Sequence, residues 1–72
     1  MTGSTMWEVH LYAPAEMRPA SNEQFASFTS AFQHALSLKH DRPNGWHVHV
    51  HPPAYATAAE ISKLRENSLY PA

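Results

Sequence analysis

The stretch SNEQFASFTSAFQHALSLK, residues 21–39, decides the fold, because it is the longest periodic run in the chain. Ser21 and Gln24 have the spacing of a capping box, and Ala20 with Phe25 that of a hydrophobic staple. Phe25, Phe28, Ala31, Phe32, Ala35, Leu36 and Leu38 then recur at helical spacing, with Ser27, Ser30, Gln33, His34 and Ser37 on the other side. Lys39 and His40 stand where cations favour a helix C-terminus. Together these features predict a helix over 22–39, with its three phenylalanines in the core.

Two alternating segments flank this run. In 6–12, Trp7, Val9 and Leu11 alternate with Glu8, His10 and Tyr12, which predicts a half-buried strand. In 46–51, Trp46, Val48 and Val50 alternate with His47, His49 and His51, which predicts a second strand. Pro14 and Pro19 mark a loop, Asp41 to Gly45 reads as a turn, and Pro52-Pro53 ends the second strand. Thr57 and Glu60 form a capping box that opens a helix over 58–69, with Ala58, Ile61, Leu64 and Leu69 as its apolar side. Residues 1–4 read as a disordered start.

The resulting order is β-α-β-α, in one domain spanning 1–72. A helix between two strands implies a right-handed crossover with the strands as parallel neighbours. The expected fold class is therefore α/β, a small two-layer sandwich with helices over one sheet face. Two strands are too few for independent stability, and their edges are open. With 72 residues and no cysteine, the chain has no disulfide to compensate for a small core. Homo-oligomerisation, as a dimer that completes the sheet, is the expected remedy, with a metal as the other.

Charge narrows the function classes. The five cations, Arg18, Lys39, Arg42, Lys63 and Arg65, are scattered and balanced to a net −1, which argues against a nucleic-acid partner. No apolar run approaches the ~18 residues of a membrane span. No basic segment followed by an apolar one opens the chain, so the expected location is the cytoplasm. Only Gly3 and Gly45 are present, too few for a glycine-rich phosphate loop.

Histidine is the abundant chemistry, at six residues. His34 falls on the polar helix face and His40 at a helix end. The other four, His10, His47, His49 and His51, fall on one predicted sheet face together with Glu8. Imidazoles at i and i+2 on a strand reach toward one ion, and a zinc site needs three or four such ligands. His10, His47, His49, His51 and Glu8 are therefore the candidate metal ligands, for zinc or another divalent transition metal. Tyr12, Tyr55 and Tyr70 are candidates for an interface or for edge packing.

The segment His47-Val48-His49-Val50-His51-Pro52-Pro53 resembles the histidine-triad signature of nucleotide hydrolases and transferases. The resemblance covers these seven residues. It implies phosphoryl chemistry with His49 as the attacking imidazole and His47 and His51 assisting. Pro52 and Pro53 stand where that signature has hydrophobic strand residues.

The function expected from the sequence is a small non-enzymatic protein-binding module, of adaptor or inhibitor type, acting as a homo-oligomer. The alternative is a metal-binding protein using the histidine strand face. A histidine-triad-like nucleotide hydrolase is the second alternative.

Overall fold

A computed structural model describes residues 6–71; the disordered start expected over 1–4 lies outside them. The described residues form five elements, in the order β1 (Trp7–Tyr12), β2 (Ser21–Phe25), α1 (Phe28–Asp41), β3 (His47–His51) and α2 (Ala58–Glu66). The strands make one antiparallel sheet in the order β2-β1-β3. The fold is thus a small mixed α/β unit of three strands and two helices.

The helix expected over 22–39 is corrected at its start: residues 21–25 are a strand. Phe25 pairs with Trp7, Gln24 with Glu8, Glu23 with Val9, Asn22 with His10 and Ser21 with Leu11. The loop returns the chain antiparallel to β1, with the Ala20 amide donating to the Leu11 carbonyl at 2.6 Å. In this register Phe25 joins the apolar side beside Trp7, which a capping box at Ser21 cannot match in buried area. The true cap is Ser27, whose hydroxyl accepts from the Ser30 amide at 3.3 Å. At the other end α1 runs to Asp41, and extended Arg42 precedes Pro43, which disfavours helix before it.

The strand relation is corrected as well. β1 and β3 are neighbours, but antiparallel, with His10 opposite His49 and Val9 opposite Val50. The parallel pair joined by α1 is β2 and β3, and β1 lies between them. With 21–25 a strand and not the start of a helix, the helical crossover joins β2 to β3 and not β1 to β3.

The core forms on one sheet face. Trp7, Val9, Leu11, Val48 and Val50 bury against Ala31 and Ala35 of α1, with Leu64 and Leu69 completing the cluster. Two alanines at i and i+4 let the helix backbone lie close to the sheet, while Phe28 packs edge-on to Trp7 at 5.2 Å. Phe25, Phe28, Phe32 and Trp46 are half-buried around this cluster.

The second helix keeps its capping box, with Thr57 accepting from the Glu60 amide and Glu60 accepting from the Thr57 amide. It ends at Glu66, short of the expected residue 69. Ser68 takes positive φ (59°), so the chain reverses there. The Ser68 amide donates to the Arg65 carbonyl and the Leu69 amide to the Leu64 carbonyl, the two bonds of a Schellman ending. The turn brings Leu69 beside β3, where its carbonyl accepts from the Val50 amide at 2.8 Å. Leu69 therefore caps part of the outer edge of β3. Among the described residues, no helix is long and apolar enough to cross a membrane.

Candidate functional site: the histidine-bearing sheet face

Strand alternation fixes what the opposite sheet face carries. Each residue paired across the sheet shares a face with its partner. The register therefore aligns Asn22 and Gln24 of β2, Glu8, His10 and Tyr12 of β1, and His47, His49 and His51 of β3 on the side away from the core. All five residues expected as metal ligands lie on this one face. His34 and His40 lie on α1, where the His34 ring packs at 5.0 Å from Phe25 and His40 is exposed.

The side chains interact diagonally across β1 and β3. His10 and His51 pack against each other with ring centroids 4.1 Å apart and planes tilted by 33°. Tyr12 and His49 lie 5.1 Å apart. The Glu8 carboxylate accepts from His10 Nε2–H at 3.0 Å, which leaves Nδ1 as the bare nitrogen of that ring. Both His10 Nδ1 and His51 Nε2 are shut off from solvent, and neither has a hydrogen-bond partner among the described residues. His47, at the far end, is exposed.

This crowding shifts two imidazoles. Burial, then the neighbouring His47 and His10, hold the His49 pKa below its ordinary 6.5. Burial, then His10 and His49, lower His51, opposed in part by the Glu8 carboxylate. Both rings thus favour the neutral form near neutral pH, the form that binds metals and packs without charge repulsion.

As the side chains stand, no group of three or more His, Asp or Glu residues converges on a metal position among the described residues. The geometry gives the reason. Imidazole lone pairs lie in the ring plane, and the His10 and His51 rings, packed against each other at a 33° tilt, do not aim theirs at a common point. The face thus assembles metal-ligating residue types without forming a cage.

Two contributors were not legible beforehand. Asn22 and Gln24 join the face only because 21–25 is a strand, and four polar residues in a row, Ser21 to Gln24, carry no alternation to announce it. A small cavity at the outer edge of β3 is the second, lined by Lys39, Trp46, Val48 and Ser68 with His47 and His49. It depends on the reversal at Ser68, which sequence periodicity does not show. The chain matches no family model, no curated protein and no solved structure.

Proposed function

We propose that the protein is a non-enzymatic binding module that pairs with a second copy of itself through the histidine-bearing sheet face. The observation that carries this reading is the one-sidedness of the sheet. Both helices serve the opposite face, and this one carries a row of partly exposed rings, Tyr12, His10, His49 and His51. Glu8 and His51 sit at one end of the face, and Tyr12 and His47 at the other. A two-fold axis across the strands lays each end over the other in the second copy, which brings the acidic end toward exposed His47.

Pairing through the sheet edges is less favourable. Leu69 already occupies the Val50 amide on the outer edge of β3. The open edge, β2, has Glu23 at its centre, and symmetric pairing there sets like charges opposite each other. The expected continuous sheet across two copies therefore gives way to face-to-face association.

Native mass spectrometry with sedimentation tests the reading. The expected mass is twice the 8.1 kDa chain at about 100 µM. Tyr12→Arg, which adds a charge to the face, should give a folded monomer. A wild-type monomer at that concentration overturns the proposal.

One observation favours a second reading, divalent metal binding. Metal-ligating histidines usually give their other ring nitrogen to a carboxylate, as His10 does to Glu8. His10, His49 and His51, with His47 or the second copy supplying further ligands, would hold zinc after ring rotation. Metal binding would then add to folding stability, so zinc should raise the melting temperature and chelator should lower it. Unchanged melts and no zinc uptake by elemental analysis dismiss this reading while leaving the first intact.

A further inference from the structure

Beyond the sheet face, the cavity at the outer edge of β3 has chemistry of its own. It measures about 140 Å³, room on the order of four waters, between the last turn of α1, β3 and the reversal after α2. Its lining contains one ammonium, one hydroxyl, two imidazoles, the Trp46 ring and Val48, and no carboxylate. Lys39 Nζ donates to the Asn67 carbonyl at 2.6 Å, which fixes the ammonium at the rim and leaves two of its three donors free.

A backbone donor adds to this set. The Val50 amide points away from β1, because it donates to Leu69. Amide direction alternates along an antiparallel strand, so Val48, two residues earlier, also turns its N–H outward. The opposite strand agrees: the Leu11 carbonyl, across from Val48, accepts from Ala20 on the β2 side. Val48 lines the cavity, and its outward N–H lies on the edge of β3 that the cavity borders.

We propose that this cavity binds the carboxylate of a small organic acid, with Lys39 and the Val48 amide taking one oxygen each and Ser68 donating from the rim. Trp46 gives an apolar wall for the few carbons that the volume admits. A carboxylate fits better than a phosphate dianion because the cavity has one permanent cation. His49 favours its neutral form near pH 7, being partly buried beside other imidazoles.

Amide-resolved NMR titration of the full chain with propionate, in parallel with inorganic phosphate, tests the assignment. Propionate should shift the Val48, Ser68 and Trp46 amides at saturating concentration. Lys39→Gln should weaken binding about tenfold, the loss of one charge-assisted hydrogen bond, and Lys39→Arg should retain it. Ser68→Gly should weaken binding while leaving the fold at least as stable, which separates lost binding from lost structure. Shifts spread evenly over the surface, equal affinity in Lys39→Gln, or tighter binding of phosphate at the same amides would overturn the proposal.

Discussion

The two faces of β1 use one backbone for opposite purposes. Trp7, Val9 and Leu11 are 1%, 1% and 4% exposed and lie in the core. Glu8, His10 and Tyr12, one residue out of phase, face away from it and meet the imidazoles of β3, with His10 4.1 Å from His51 and Tyr12 5.1 Å from His49. The difference teaches where stability and function separate in so small a chain. One face is held by close packing and tolerates little change. The other contributes little to folding and is free to carry chemistry.

The largest expected effect breaks the first face. Trp7→Ala removes the largest fully buried side chain and the edge-on partner of Phe28. Truncating a buried aromatic costs about 3–5 kcal/mol. A domain of this length has a total stability on the order of 4–10 kcal/mol, so the loss is a large fraction of the whole and the urea midpoint should fall steeply. His10→Ala, three residues along on the other face, should cost about 1 kcal/mol or less. Urea unfolding of both variants checks the contrast, and equal losses would refute the division of labour between the faces.

The turn into β3 decides which face its histidines occupy. Gly45 has φ of +100°, and a Cβ there would stand 3.1 Å from the Pro14 ring. Gly45→Ala should cost about 1–2 kcal/mol through backbone strain, with the Pro14 contact adding to it. Val48 and Val50 would then lose registry with Leu11 and Val9, and the NMR signals of the core methyls should broaden. A variant as stable as the parent would show that the turn does not hold the register.

How far the sequence reveals this arrangement follows from the same alternation. The period of two in 7–12 and 47–51 places all four sheet histidines and Glu8 on one face without a structure. Sequence alone also supplies the Thr57–Glu60 box and the cations ending α1. It misleads at 21–25, where Ser21 and Gln24 mimic a helix start and no local feature announces pairing with β1. That strand exists because Phe25 pairs with Trp7 and half-buries its ring at the core, a pairing between residues distant in the chain. Its loss from the sequence reading also turned the β2–β3 crossover into a β1–β3 one. The cavity beside β3 was hidden for a similar reason, since it depends on where Leu69 docks after the reversal at Ser68.

Acidification should weaken the histidine face and spare the core. His49 and His51 have folded-state pKa values below 6.5, so the unfolded chain binds more protons than the folded one as pH falls below that value. Their contribution is fully present above pH 6.5 and is lost as pH falls toward the folded pKa values. Glu8, His10, Tyr12 and His47 surround the two rings, and Asn22 and Gln24 on β2 add no charge. The melting temperature should therefore decline as pH falls below about 6.5. The double variant His49→Gln, His51→Gln should flatten that decline. A slope unchanged in the double variant would locate the acid sensitivity elsewhere.

The smallest predicted effect lies where the two faces meet, at the edge of β3. Ser68 occupies the left-handed position of the Schellman ending, φ 59°, which glycine adopts without a Cβ penalty. Ser68→Gly relieves that strain, worth about 1 kcal/mol in the folded state, against a greater loss of chain entropy of roughly 0.5–1 kcal/mol. The balance is a gain of a few tenths of a kcal/mol at most. Ser68→Val keeps the strain and adds β-branching, which is unfavourable at positive φ, so it should lose about 1 kcal/mol or more. The two variants should bracket the parent in chemical denaturation. Because Leu69 closes on Val50 only through this reversal, amide exchange at Val50 should speed up in Ser68→Val and stay slow in Ser68→Gly. Fast Val50 exchange in both would mean that the capping bond on β3 does not depend on the helix ending.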